Sequence, residues 1–186
     1  MSNKTWKVGK QEWSDVITAA NCQKTTFSGG GPGSFSADCR QDSGRGDLFS
    51  WCAAVRFQRQ LCTRGWRMPT KDDYMTLKKN LEDIQKQVNS KKSTNFVSKY
   101  MFFGPTFEAY ASNPQGELVK QGSFAQYWST SEFGPNHGFH LSINISDDMY
   151  PLANSNKAFG FTLRCVKDLP KTAPVVIPVM VELPKD

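Results

Sequence analysis

The stretch "LCTRGWRMPTKDDYMTLKKNL", residues 61–81, places a cysteine, a Gly-Trp-Arg-Met-Pro turn and a helix start in direct succession. Thr70 and Asp73 have the spacing of a capping box, and Pro69 precedes them, so the pattern predicts that a helix begins here. The apolar residues that follow recur at spacings of three and four, and they are Tyr74, Leu77, Leu81, Ile84 and Val88. This segment therefore predicts one amphipathic helix that is entered through a tight turn.

A second helix is predicted immediately before this turn, in "DLFSWCAAVRFQRQL", residues 47–61. Asp47 stands at its start and is the predicted N-cap. Its approximate apolar stripe consists of Leu48, Trp51, Cys52, Val55 and Leu61.

The N-terminal part of the chain predicts a different texture. Residues 1–22 indicate a short strand followed by a helical turn, and residues 23–46 are rich in Gly and Ser, as in a long surface loop. A loop of that length is usually functional or mobile. Cys22 and Cys39 flank the loop and could close it in an oxidising compartment.

From residue 95 onward the sequence becomes typical of β-structure. "SFAQYWSTSE" is an aromatic run, and "GFHLSINIS" and "AFGFTLRCV" alternate apolar with other residues. Two helices followed by antiparallel strands form an α+β pattern. We therefore predict one domain over residues 1–168, with 23–46 as an inserted loop, and a proline-punctuated tail over residues 169–186. The tail could pack on its own domain or pair with the sheet edge of a neighbouring subunit.

The composition limits the class of protein without naming a function. The chain has 186 residues, a formal net charge of +6 and a pI near 9.1, which permits an anionic partner but is explained by solubilising lysines. No nucleic-acid module motif is present, so we predict no nucleic-acid partner. The longest apolar run, "VVIPVMV" at 175–181, is too short for a transmembrane helix. The first residues lack an apolar leader, so the protein is either cytosolic or has lost a leader peptide.

The candidate catalytic and metal-binding patterns are weak. His137 and His140 lie three apart in a predicted strand, so they point to opposite faces and support neither a Cys-His pair nor a shared zinc site. "GGGPG" lacks the Walker lysine and hydroxyl residue. "RGD" at 45–47 matches an integrin tripeptide, but the cap role of Asp47 is a sufficient explanation. We predict no cofactor, with calcium as the alternative, because one loop offers a set of suitable oxygens: Asp147, Asp148, Asn154 and Asn156.

Three blocks, in order, carry a family resemblance: "GDLFSWCAAVRFQRQLCTRGWRMPTKDDYMTLKKNL", "YWSTSE" and "NSNKAFGFTLRCVKD". They resemble the FISUMP family of bacterial surface domains, over roughly residues 46–168. The chain departs from that pattern at Thr63, where the family often has Pro, at Met68, where it has Leu, and in the loop at 23–46.

The resemblance implies a C-type-lectin-like fold, similar to that of formylglycine-generating enzymes, in which two helices pack beside a twisted antiparallel sheet and long loops face the ligand. It also implies that Cys62 lies close to Cys165 and bridges to it. In that arrangement Gly65 permits the turn, Trp66 fills the junction of helix and sheet, and Arg67 binds backbone carbonyls or a carboxylate.

The function expected from the resemblance is a non-catalytic binding module, secreted or on the bacterial cell surface, that recognises a protein or glycan. Its ligand-binding residues are expected in the loops at 131–138 and 146–157: Asn136, His137, Asp147, Asp148, Tyr150, Asn154 and Asn156. The first alternative is a structural subunit of a surface assembly that docks or self-associates through residues 169–186. The second is a cysteine-dependent oxidase of the formylglycine-generating type, which requires a reactive cysteine pair.

Overall fold

The chain folds into a mixed α+β structure of short helices and small antiparallel sheets, as the sequence predicts. The computed structural model describes residues 5–19, 39–40, 46–87, 111–112, 118–119 and 123–170, with the backbone alone for the three two-residue segments. The aromatic segment at 99–110, most of the inserted loop and residues 171–186 of the tail lie outside these ranges.

In the described part of the chain, four strands precede three consecutive helices and six strands follow them. The helices are α1 (Trp51–Arg56), α2 (Gln58–Leu61) and α3 (Lys71–Gln87). The strands are β1 (Thr5–Val8), β2 (Gln11–Ser14), β3 (Cys39–Arg40), β4 (Leu48–Phe49), β5 (Ala111–Ser112), β6 (Leu118–Val119), β7 (Phe124–Gly134), β8 (His137–Asn144), β9 (Met149–Asn156) and β10 (Val166–Asp168).

The described strands form two three-stranded antiparallel sheets and two short pairs. One sheet has the order β1-β2-β10, the other has the order β7-β8-β9, and β3 pairs with β4 and β5 with β6. In the first sheet Val166 of β10 lies opposite Trp13 of β2. The end of the domain is therefore hydrogen-bonded to its beginning, while the β7-β8-β9 sheet is formed by residues close together in the chain.

Helix α3 packs its apolar face against both sheets. The predicted stripe is confirmed over Tyr74, Leu77, Leu81 and Ile84, which are buried, while Val88 lies outside the described residues. Tyr74 stacks on Trp13 with ring centroids 5.5 Å apart and donates its hydroxyl to the backbone oxygen of Trp128 at 3.0 Å. No helix in the described part of the chain is long and apolar enough to cross a membrane.

The β7-β8-β9 sheet is a middle layer with apolar packing on both faces. Leu141 and Ile143 belong to the cluster under α3. Trp128 belongs to a second cluster, which also contains Ala54 of α1 and Phe161. Because both faces of the central strand are covered, burial does not follow the simple two-residue alternation that the sequence predicts for β8.

The predicted helix at 47–61 is shorter than expected and is interrupted. It begins at Trp51, where the Ser50 hydroxyl accepts a hydrogen bond from the Ala53 N–H at 3.1 Å, and it is broken at Phe57. Asp47 as N-cap is therefore wrong. Its carboxylate instead accepts a hydrogen bond from the backbone N–H of Ala19 at 2.6 Å. Leu48 and Phe49 form β4, because they pair with β3, although the local sequence pattern favours a helix.

The helical turn predicted within residues 1–22 is also wrong for the described part. Residues 5–14 form the β1–β2 hairpin, with Gly9 at a φ of 59° in its turn and Trp6 opposite Trp13. Ile17 donates its N–H to the oxygen of Leu163 at 3.0 Å, so the chain stays extended after the hairpin.

The predicted strand "AFGFTLRCV" is not a ladder strand, except for its last residue. Phe161 bridges to Phe49 and Thr162 bridges to Tyr127, so the segment crosses between elements and is buried on every side. The alternation in "GFHLSINIS" extends to Ile145, but β8 ends at Asn144, and Ile145 lies in the β8–β9 turn with 60% of its surface exposed.

Candidate functional site

The motif at 61–73 is fastened to the last strand by a disulfide. Cys62 and Cys165 are bonded, with Cα atoms 5.6 Å apart and a sequence separation of 103. Both are buried, at 4% and 0% exposure. The pairing implied by the family resemblance is thus present. Of the other predicted pair, Cys22 lies outside the described residues and Cys39 is described by its backbone alone, so that disulfide stays a prediction.

Arg67 binds two carboxylates, as one of its two predicted roles requires. Its guanidinium donates to both oxygens of Asp73, at 2.6 and 2.9 Å, and to those of Asp168, at 3.1 and 3.2 Å. The hydrogen bond to Asp73 is the main reason that the pKa of Arg67 is raised above its ordinary value. Its backbone also exchanges two hydrogen bonds with Val166. Arg67 therefore joins the turn to the start of α3 and to β10.

Asp73 completes the predicted capping box and has further partners. Its backbone N–H donates to the Thr70 hydroxyl at 3.2 Å, and its carboxylate accepts from the Thr70 N–H at 2.7 Å. Gln11 of β2 donates to the same carboxylate at 2.9 Å. Burial alone would raise the pKa of Asp73, but the hydrogen bonds from Arg67 and Thr70 outweigh it and lower the pKa below its ordinary value.

We call the group of Cys62, Arg67, Asp73, Cys165 and Asp168 the seam. Gly65, at a φ of 80°, makes the turn within it, as predicted. The contacts described for these side chains run between the turn, α3, β2 and β10, and connect these parts of the fold. These structural contacts are sufficient to explain the closely spaced sequence motif at 61–73.

A second group of side chains lies at the tip of the β7–β8 hairpin, and we call it the tip patch: Phe133, His137, Phe139 and Asn154. Phe133 has 57% of its surface exposed. Its ring stands perpendicular to Phe139, with centroids 5.2 Å apart, and to His137, with centroids 6.4 Å apart. Asn154 is the partner of Phe139 across β8 and β9, and cross-strand partners share a face. The patch therefore combines aromatic rings with an amide.

The start of α3 supports the tip patch from one side. Lys71 donates its N–H to the Ser131 hydroxyl at 3.0 Å, and Thr130 donates its N–H to the oxygen of Pro69 at 2.8 Å. The Lys71 ammonium lies 5.9 Å from the centre of the Phe139 ring. The hairpin tip is thus tied to the same turn that begins the helix.

The opposite face of the tip is held by Trp51 and Lys157. A Cβ added at Gly138 would come within 2.4 Å of the Trp51 ring, so the glycine permits the indole to lie flat on the strand. Trp51 donates its ring N–H to the oxygen of Ser129 at 2.9 Å, and the Lys157 ammonium lies 4.5 Å above the indole. Lys157 also binds the Glu132 carboxylate. These contacts hold the tip in one position, which lowers the cost of ordering it on binding.

The predicted ligand-binding residues fall into two groups. Asn136, His137, Asn154 and Asn156 lie at the tip end of the sheet, where His137 pairs with Asn156. Asp147, Asp148 and Tyr150 lie at the other end of β8, about 23 Å away at the usual rise per residue. Most of the expected loop at 146–157 is strand β9. The structure therefore brings only the first group together.

Tyr150 is further separated from Asn154 by a break in register. Phe139 pairs with Asn154, but after a shift beyond His140 it is Ser142 that pairs with Tyr150. The extra residue places Tyr150 on the face of Ser142, opposite to that of Phe139 and Asn154. The sequence analysis expects a loop at 146–157, whereas Tyr150 and Asn154 lie on one strand that contains a bulge.

The acidic turn between β8 and β9 is organised by its own side chains. The Asn144 side-chain oxygen accepts hydrogen bonds from the N–H groups of Ser146 and Asp148, at 2.9 and 3.0 Å. Asp147 is buried and has a φ of 61°. Within the described ranges, no group of three or more His, Cys, Asp or Glu side chains is arranged to hold a metal ion.

The "RGD" tripeptide does not present its carboxylate, because Asp47 is 2% exposed. His140 is also buried, packed between the rings of Trp128 and Phe161, and its Nε2 lies 3.0 Å from the Ser155 hydroxyl. A hydroxyl at that distance from an imidazole has the spacing of a nucleophile and its base. The imidazole is enclosed by aromatic rings, and we interpret the pair as packing.

Phe133 and Phe139 are the residues of the tip patch that sequence reasoning did not select. The alternation in "GFHLSINIS" places Phe139 on one face of a strand with Leu141 and Ile143, and no motif points to Phe133. The available signal was the position of Phe133, directly before Gly134 and Pro135 in a hairpin turn. A large aromatic side chain at a turn cannot be covered by the sheet and is therefore a candidate for contact with a ligand.

Comparisons with protein-family models, with curated protein sequences and with solved structures find no match in any of the three.

Proposed function

We propose that this chain is a non-catalytic binding module, secreted or on the bacterial cell surface, that uses the tip patch to contact its ligand. The proposal includes a C-type-lectin-like fold related to the FISUMP family, and it needs no cofactor, with calcium as the alternative. The mixed α+β architecture is compatible with that fold.

The observation that carries the proposal is the exposure of Phe133 on a rigid support. A single exposed aromatic ring on a flexible loop would carry little meaning. Here the ring rests on Phe139 and His137, while Trp51 and Lys157 hold the opposite face of the hairpin. Rigid aromatic anchors flanked by polar side chains are typical of binding surfaces.

The disulfide between Cys62 and Cys165 supports the proposed location. Disulfides persist in oxidising compartments and are rare where thiols are kept reduced. A buried bond that closes a loop of this length favours a protein that works outside the cytoplasm.

The test compares the wild-type chain with Phe133→Ala and with Ile145→Ala as a matched control. Ile145 is 60% exposed but lies at the opposite end of β8. Each protein is labelled and applied to an array of bacterial and host glycans and surface proteins. Ligands that are lost in Phe133→Ala and kept in Ile145→Ala support the proposal. An identical set of ligands for both variants contradicts it.

A second candidate is a subunit of a surface assembly that docks through its tail, residues 169–186. Leu169 donates its N–H to the oxygen of Lys10 at 2.9 Å, so the root of the tail is held to the β1–β2 turn. A chain ending at residue 170 should then lose self-association, measured by mass in solution. A truncated chain that assembles as the full chain does excludes this candidate.

The oxidase alternative needs a cysteine pair that a substrate can reach. Cys62 and Cys165 are instead buried in the seam. Alkylation of the native protein separates the alternatives. Binding of copper by a rapidly alkylated pair supports the oxidase, and alkylation of both cysteines only after a reductant is added supports the binding module.

A further inference from the structure

Resting on the proposed function, we infer that the ligand of the tip patch is a neutral saccharide, in which one pyranose ring stacks on Phe133 and its hydroxyls bind the neighbouring amides.

The side chain of Phe133 is 57% exposed, which leaves ring surface on which a sugar can stack. Its described ring contacts, with Phe139 and with His137, are perpendicular, at interplanar angles of 87° and 81°. Neither of these neighbours stacks parallel on the face of Phe133. The face of an aromatic ring carries partial negative charge. The C–H groups on one side of a pyranose carry partial positive charge and are apolar, so they suit this surface.

The amides at this end of the sheet match the hydroxyls of a sugar. Asn154 lies opposite Phe139, and Asn136 lies in the β7–β8 turn. Both side chains are exposed, and neither hydrogen-bonds another residue in the part of the chain that the structure describes. A carboxamide both donates and accepts hydrogen bonds, as a sugar hydroxyl does. A ligand with alternating C–H and O–H groups can use the aromatic ring and the amides together, whereas a purely apolar ligand cannot.

The size and charge of the patch favour a small neutral ligand over a protein. A stable protein interface buries about 800 Å² on each partner around a central apolar cluster. Of the five exposed large apolar side chains in the described ranges, Phe133 alone belongs to the tip patch. The nearby Lys71 ammonium is paired with Asp72 at 3.2 Å, so the patch does not require an anionic ligand. One aromatic ring with flanking amides has the dimensions of one sugar unit.

The experiment measures binding of four neutral oligosaccharides by calorimetric titration: the hexamers of β-1,4-glucose, β-1,4-xylose, α-1,6-mannose and β-1,4-N-acetylglucosamine. Oligogalacturonate is the anionic comparator. We expect at least one neutral oligosaccharide to bind. Phe133→Ala should weaken that binding about tenfold or more, and Phe133→Tyr should retain it, because the tyrosine keeps a ring face. Asn154→Ala should weaken it about fivefold, from the loss of one hydrogen bond.

Ile145→Ala is the control, because Ile145 is 60% exposed and lies at the opposite end of β8. It should leave the affinity unchanged, and thermal unfolding of each variant verifies that it is folded. Binding of the anionic oligosaccharide alone, binding unaffected by Phe133→Ala, or no binding at all overturns the saccharide inference. If a protein ligand is then captured in a Phe133-dependent way, the proposed function stands and only the saccharide assignment falls. If no Phe133-dependent ligand of any kind is found, both fall.

Discussion

The side chains of the seam bind one another inside the fold, whereas the tip patch presents side chains to solvent. In the seam, Arg67 binds Asp73 and Asp168, so each charge is neutralised by a partner inside the fold. In the tip patch, Phe133 is more than half exposed, and Asn154 faces outward beside Phe139. The seam has a dense sequence motif, whereas the tip patch has almost none.

This difference separates sequence pattern from function. A cap, a turn glycine and a disulfide each need a particular residue at a fixed position. These structural constraints therefore produce a recognisable sequence motif. A ligand-binding surface needs residues that meet only after strands have paired, and their spacing in the sequence is irregular. The region that looks most like an active site is the one that stabilises the fold.

The largest expected effect is the loss of the disulfide in the double variant Cys62→Ser, Cys165→Ser. Closing a loop of about 100 residues should contribute about 4–5 kcal/mol to the free energy of unfolding, mainly through the unfolded chain. Urea unfolding should therefore show a loss of that order while saccharide binding per folded molecule is kept. An unchanged midpoint of urea unfolding would show that the disulfide of the seam does not stabilise the fold.

The next effect is that of Asp73→Ala, which removes the capping box and the partner of Arg67. We expect a loss of about 2–4 kcal/mol, measured by urea unfolding. Asp72→Ala, an exposed neighbour in the first turn of α3, is the matched control and should cost well under about 1 kcal/mol. Equal effects of the two substitutions would show that the seam contacts of Asp73 contribute nothing.

Asp73 also predicts a dependence of stability on pH. Because its folded pKa lies below the unfolded value, its contribution is fully present above about pH 4 and is lost as the pH falls through the folded pKa. Stability measured against pH should therefore fall less steeply in acid for Asp73→Asn than for the wild type. Parallel curves of stability against pH for the two proteins would contradict the lowered pKa of Asp73.

A smaller effect is expected for Gly138→Ala, behind the tip. The added methyl would collide with the Trp51 ring and should cost about 1–3 kcal/mol. Because the indole supports the hairpin, saccharide affinity should fall as well, although Gly138 does not belong to the tip patch. Gly134→Ala is the control, since a Cβ there meets no atom within 4 Å. Unchanged affinity in Gly138→Ala would show that the tip does not depend on this support.

The smallest effect on stability belongs to Phe133→Ala, which should change the free energy of unfolding by less than about 1 kcal/mol. The same variant should lose ligand binding. It should therefore keep its stability and lose its affinity, whereas the disulfide variant should lose stability and keep its affinity. A large destabilisation would place Phe133 with the structural residues instead.

The sequence predicts the α+β class and helix α3 with its capping box, because each depends on residues close together in the chain or on a strong local pattern. For Arg67 the prediction leaves backbone carbonyls and a carboxylate as alternatives, and the side chain binds two carboxylates. The predicted disulfide between Cys62 and Cys165 came from a family resemblance. Asp47 as a cap was wrong, because Ser50 lies nearer the true helix start and Ala19 recruits the aspartate from far away in the sequence.

The candidate site was predicted only in part. Asn136, His137, Asn154 and Asn156 are together at the tip, but Tyr150 was separated from them by a bulge that no residue spacing reveals. Phe133 was overlooked because the exposure of an aromatic residue depends on what packs beside the hairpin.

Chemical-shift mapping of backbone amides by NMR, during titration with the bound oligosaccharide, tests the central claim most directly. If the seam supports the fold and the tip patch binds the ligand, the perturbed amides should cluster at residues 131–139 and 154–157, with none at 61–73. Perturbations concentrated at 61–73, with the tip unchanged, would contradict this division of roles.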